Sequence, residues 1–106
     1  MSIFDKPAPK CGEIHDILCK LDNVEIAHII SSSMLPDMEY CQNMDEFVMI
    51  LEGEALMKIE NQEIRLKKGE YIFIKAFVKH RILNCKNGTH WLAVYIKSQS
   101  RYALYH

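Results

Sequence analysis

A chain of 106 residues, 49% hydrophobic and 25% charged, holds enough apolar material for one globular domain with one core. Its formal net charge of -1 supplies no field that would draw nucleic acid or an anionic membrane surface. No stretch approaches the roughly 20 apolar residues of a membrane span, and Met1 to Pro7 contains no apolar run of signal-peptide length. Without an export signal, and with no C-x-x-C pair, Cys11, Cys19, Cys41 and Cys85 read as reduced structural thiols, which makes the cytoplasm the expected compartment.

In chain order, Pro7 and Pro9 exclude regular helix from the first residues and favour an extended arm. From Gly12 to Leu21, the apolar positions Ile14, Ile17, Leu18 and Leu21 recur at three- and four-residue steps, which predicts a short amphipathic helix. His15 and Cys19 would share a face of that helix, an incidental pair without a third ligand. Asp22-Asn23 signals a turn, so residues 1–23 are expected to form an N-terminal arm with a short helix and residues 24–106 a β-rich body.

After that turn the period is that of strands. Val24 to Ile30 is rich in β-branched residues, and a second extended segment follows Ser31-Ser32-Ser33 and Leu35-Pro36-Asp37, leading through Tyr40 to Gln42. Further strands are expected at Glu46 to Glu52, Ala55 to Glu60, Glu63 to Leu66, Tyr71 to Ile74, His80 to Cys85 and His90 to Lys97. Gly53-Glu54 reads as a tight hairpin turn, with further turns at Asn61-Gln62, Lys67 to Glu70 and Lys86-Asn87-Gly88. Short strands at nearly regular spacing indicate a sandwich or barrel.

Alternation assigns the faces. Glu46, Val48, Ile50 and Glu52 share one side of their strand and Phe47, Met49 and Leu51 the other; His80, Ile82 and Asn84 share a side of theirs. An acid and a histidine therefore sit near strand beginnings with apolar neighbours on their own side, as when a barrel carries a few polar groups at its mouth.

Glu46 with Gly53, and Gly69 with His80 and Asn84, stand at the spacing of the two sequence motifs of the cupin family, which the chain resembles over about residues 24 to 97. Tyr40-x-Gln42, Asp45-Glu46-Phe47-Val48, His80-Arg81-Ile82 and Trp91-Leu92-Ala93-Val94 are similar to a subgroup of small single-domain cupins. The resemblance implies an all-β, double-stranded β-helix (jelly-roll barrel), here with the short N-terminal helix. It further implies a divalent metal ion, such as zinc, nickel, manganese or iron, with no organic cofactor. Glu46 and His80 match the family's ligand positions, whereas the first motif's histidine pair is missing. Counting three intervening residues back from Glu46 puts Tyr40 and Gln42 there; counting four puts Glu39 and Cys41 there. Strand parity favours Tyr40 and Gln42 unless a bulge intervenes. Phe77 replaces the second motif's glycine.

The expected metal donors are therefore Glu46, His80 and Gln42, with Tyr40, Cys41 and Asn84 as further pocket residues. His28 and His90 have no motif support, and Trp91, Tyr95 and Met49 are expected in the core or an interface. Three functions follow: a metal-binding cupin acting on a small organic molecule, a metal-free binder or sensor of a small-molecule ligand, and a degenerate dimeric scaffold without catalysis. Nucleophilic chemistry by Cys41 with His80 would need the bulged register. The two apolar faces of the Glu46 strand point to a homodimer through Phe47, Met49 and Leu51 or through the last strand.

Overall fold

The computed structural model describes residues 2–97. They form eight strands: β1 (Glu13–Lys20), β2 (Val24–Ser31), β3 (Met44–Glu52), β4 (Glu54–Ile59), β5 (Gln62–Lys67), β6 (Tyr71–Ile74), β7 (His80–Cys85) and β8 (Thr89–Lys97). A five-stranded sheet, in the order β1-β2-β8-β3-β6, faces a three-stranded sheet, β5-β4-β7, and all named pairings are antiparallel. This is the sandwich or barrel expected from the strand spacing, in the all-β double-stranded β-helix form that the resemblance implied.

The core lies between the sheets because each strand alternates. Ile29, Val48, Ile50, Trp91 and Ala93 of the larger sheet meet Ala55, Met57, Leu66 and Cys85 of the smaller one. Each fully buried aliphatic side chain there contributes roughly 1.5–3 kcal/mol relative to exposure.

The segment expected as a helix is instead the edge strand β1, paired with β2 from Glu13↔Ser31 to Lys20↔Glu25. Ile17 and Leu18 are 58% and 51% exposed, so the three- and four-residue spacing that mimicked an amphipathic helix was never a burial pattern. A register shift between Ile17 and Cys19 breaks the alternation that would have marked the strand. Among the described residues the one helical piece is a 3-10 turn over Ile3–Asp5, capped by Ser2. It sits in an arm laid on the outer face of the larger sheet. There Phe4 packs edge-on against His90, with ring centroids 5.1 Å apart, and Lys6 pairs with Asp16. Beneath the arm, buried His28 and His90 share a contact of 2.9 Å from Nε2 to Nδ1.

Gly53 does not close a hairpin, because β3 and β4 belong to different sheets. It turns the chain from one sheet to the other at φ +95°, and a Cβ there would stand 2.5 Å from Thr89 Oγ1 and 2.9 Å from Thr89 Cα. Both the left-handed backbone and the close approach call for glycine. The β4–β5 hairpin turns at Glu60 and Asn61, one residue earlier than expected, with Ile59 paired to Gln62.

Candidate functional site

A cavity of about 120 Å³ lies between the sheets. Its floor is apolar, from Ile29, Val48, Met57 and Ile82, and its polar end holds Glu13, His15, Tyr40, Gln42, Glu46 and His80. Trp91 and Tyr95 complete the wall, so two aromatic residues expected in the core or an interface face the cavity.

Each polar residue is placed by a local feature. Glu46 is in β3, between β8 and β6, opposite Tyr95 and Ile74 respectively, and its side chain is only 10% exposed. The preceding Asp45 points the other way and accepts from the Ala76 backbone N–H at 2.9 Å, tying β3 to the β6–β7 turn that delivers His80. That turn carries Phe77 at φ +68°, where the sequence motif has glycine. The backbone keeps the left-handed conformation, and hydrogen bonds hold it from Phe77 N–H to the Gln42 carbonyl (2.7 Å) and from Val78 N–H to the Lys75 carbonyl (3.2 Å).

Tyr40 and His80 form an isolated antiparallel bridge, exchanging backbone hydrogen bonds of 2.7 and 3.0 Å. Their rings stack at 5.8 Å. The bridge puts Tyr40 and Gln42 on the cavity side. Cys41, between them, faces outward: it is exposed and its thiol donates to the Phe77 carbonyl at 3.4 Å. It is not a pocket residue, which removes the structural basis for a Cys41–His80 nucleophile. Asn84 is likewise outside the cavity. The β4–β7 register shifts at Leu56/Met57, so Leu83 is extra; Ile82 pairs with buried Met57, and Asn84 pairs with Leu56 on the exposed side. A bulge has inverted the parity that placed Asn84 with His80.

His80 Nε2 lies 3.5 Å from Glu46 Oε2, and both side chains are nine-tenths buried or nearly so. The other ring nitrogen, Nδ1, contacts the Val78 carbonyl at 3.0 Å. Burial works against the imidazolium, but Glu46 and that carbonyl outweigh it and raise the His80 pKa.

β1 supplies a second acid–imidazole couple that sequence reasoning missed. His15 Nε2 is 3.6 Å from Glu13 Oε1, and Ser31 Oγ donates to Glu13 Oε2 at 2.5 Å while accepting from the Trp91 indole N–H at 3.0 Å. Burial opposes ionisation of Glu13, yet its bonds to His15 and Ser31 hold its pKa below the usual carboxylate value. Glu13 raises the His15 pKa against the effect of burial. The signal was the alternation Glu13-x-His15-x-Ile17, hidden by the helical spacing of its apolar neighbours. Burial, aided by Glu46 and Glu13, raises the pKa of Tyr95 far above the usual phenol value; burial, Glu13 and Glu46 raise that of Tyr40 less.

Among the described residues, one buried side-chain polar atom has no hydrogen-bond partner. Gln42 Oε1 is buried and accepts no hydrogen bond. Glu46 and His80 are good donors for a divalent ion and Gln42 is a weak one, but among the described residues no group of three His, Cys, Asp or Glu converges to hold a metal. The side chains present do not make a complete metal centre.

Comparison with known proteins fits this architecture. No curated protein matches the chain. A Ralstonia eutropha protein that carries the provisional name mannose-6-phosphate isomerase superposes with a TM-score of 0.80 at 27% identity, covering 88% of this chain and 92% of that one. A cupin superfamily protein from Desulfitobacterium hafniense gives a TM-score of 0.80 at 20% identity, covering 92% and 89%. An RmlC-like cupin from Methanocaldococcus jannaschii gives 0.70 at 20% identity, covering 86% and 85%. The Cupin domain family model matches residues 37–95, more than half of the chain, and the chain belongs to the cupin family.

Proposed function

We propose that this small cupin binds a small organic molecule at the polar end of the inter-sheet cavity, between Glu46, His80 and Gln42. The observation that carries the reading is the buried, unpartnered Gln42 Oε1 on the cavity wall. A buried acceptor without a donor costs about 1–3 kcal/mol, and a ligand N–H or O–H would remove that cost. The cavity's 120 Å³ is close to the roughly 150 Å³ that accommodates benzene, so the ligand is compact. The Ralstonia protein's provisional name points to a phosphorylated sugar, but none of the described residues lining this cavity is lysine or arginine. We therefore do not extend a phosphate ligand to this chain.

A divalent ion at Glu46, His80 and Gln42 is the second reading, favoured by the same orphan oxygen and by the acid–imidazole contact. The proposal includes a homodimer, formed through the apolar outer face of the larger sheet, and a cytoplasmic setting. Elemental analysis of protein purified without added metal tests the choice. Sub-stoichiometric metal is expected; a full equivalent of tightly held zinc, nickel, manganese or iron would establish the second reading instead. A small-molecule screen followed through Trp91, the chain's one tryptophan and a cavity residue, should find ligands whose binding is lost in His80→Ala.

A further inference from the structure

The cavity's polar groups are not evenly mixed. Two carboxylates, Glu13 from β1 and Glu46 from β3, reach it from different strands of the larger sheet, and the buried Gln42 oxygen adds a third acceptor. Each carboxylate has an imidazole beside it, but at 3.6 Å (Glu13–His15) and 3.5 Å (Glu46–His80), longer than a well-formed hydrogen bond. Both therefore keep acceptor capacity toward the cavity. Trp91 and Tyr95 of β8, in the same sheet, and Tyr40 line the cavity with them, together with aliphatic side chains. Among the described residues no three His, Cys, Asp or Glu side chains converge to hold a metal ion.

We infer that the cavity selects a compact organic cation, a primary ammonium or an amidinium on a short apolar body. Such a ligand donates N–H bonds to Glu46 and to Gln42 Oε1, and its charge competes with the His15 and His80 imidazoles for the two carboxylates. Its alkyl portion covers the Ile29, Val48 and Met57 floor, and the aromatic wall adds cation–π attraction. An anionic ligand would meet like charge in a site of low dielectric. A neutral one can donate a hydrogen bond but brings no charge to the two carboxylates. The inference rests on the proposal that the cavity holds a small molecule, and it adds the ligand's charge.

Three isosteric probes test it at neutral pH: n-butylammonium, 1-butanol and butyrate, titrated against the intact chain with Trp91 fluorescence and amide NMR shifts as readouts. Butylammonium should bind at least tenfold more tightly than butanol, and butyrate should not bind. Glu13→Gln and Glu46→Gln should each weaken butylammonium several-fold while changing butanol little. The wild-type selectivity needs no variant, so the test survives a substitution that fails to fold. Butanol or butyrate binding as well as butylammonium, with loss in His80→Ala, would overturn the cation assignment and leave the cavity as a ligand site. No perturbation of cavity residues by any probe would overturn both.

Discussion

Tyr40 and His80 exchange both backbone hydrogen bonds across a single β-bridge, and this one pairing sets the polarity of the site. It fixes which residues of the segment before β3 face inward, and it stacks the Tyr40 ring on the His80 imidazole. Because the bridge is isolated, the side chains of Tyr40 and Gln42 are held in place without a full strand's ladder. Gln42 is committed to the cavity even though its side-chain oxygen Oε1 finds no partner there.

That commitment predicts a trade between stability and binding. Gln42→Leu removes a buried acceptor lacking a donor and should stabilise the fold by about 1 kcal/mol, read as a higher urea midpoint. The same substitution should weaken ligand binding several-fold. Cys41→Ser, one residue away on the outside, should change neither. A destabilised Gln42→Leu would show that the amide is satisfied in solution, and loss of binding in Cys41→Ser would place the wrong side chain in the cavity.

Much of the architecture was legible in advance because alternation is a local signal. The strands from Val24 onward follow from period-two patterning and turn residues, and the inward side of Glu46 and His80 from parity together with the resemblance to the cupin motifs. What failed did so where the period is interrupted. The Ile17/Cys19 shift in β1 and exposed apolar residues on an edge strand imitated a helix, so Glu13 escaped notice and His15 was matched with Cys19 instead. The bulge in β7 turned Asn84 outward, and the crossover at Gly53 looked like a hairpin because a turn glycine does not say which strands it joins. Bulges and sheet changes depend on the partner strand, which local pattern does not contain.

Phe77 pays for its backbone. It adopts φ +68° and the residue is 63% exposed, so little burial offsets the strain. The left-handed conformation costs a non-glycine residue roughly 1–2 kcal/mol, and glycine's extra chain entropy returns roughly 0.5–1 kcal/mol of that. Phe77→Gly should therefore stabilise the fold by about 0.5–1 kcal/mol. Chemical denaturation of both proteins measures it, and a loss of stability would mean that the exposed ring makes contacts in solution that outweigh the strain.

His28 should make stability fall with acidification. Burial, reinforced by His90 and Lys6 and opposed by Asp16, holds its pKa below the ordinary 6.5. A base with a depressed folded pKa contributes stability that is complete above the unfolded value and is lost as pH falls through that value toward the folded one. His15 and His80 are shifted upward and act in the opposite sense: their contribution is present below the unfolded value and lost as pH rises through the folded one. The His28 contribution is thus the difference in slope between wild type and His28→Leu, taken from melting temperatures between pH 7.5 and 5.5. The wild type should lose more stability than the variant over that range. Equal slopes would show that the buried pair under the Phe4 arm takes up its proton without cost.

The outer face of the larger sheet should carry the dimer. Phe47 and Met49 of β3 pair across to Phe73 and Tyr71 of β6, and Phe47 packs on Tyr71 at 5.4 Å between ring centroids. Phe73 and Tyr71 are nonetheless 47% and 62% exposed, an aromatic strip that a partner would cover. Sedimentation at micromolar concentration should give a dimer for the wild type and a monomer for Phe73→Lys. The latter alters an exposed position and should leave the fold's own stability within about 0.5 kcal/mol. Leu83→Lys, on the smaller sheet, should remain dimeric. A monomeric wild type would remove the dimer; a dimeric Phe73→Lys with a monomeric Leu83→Lys would move the interface to the other sheet.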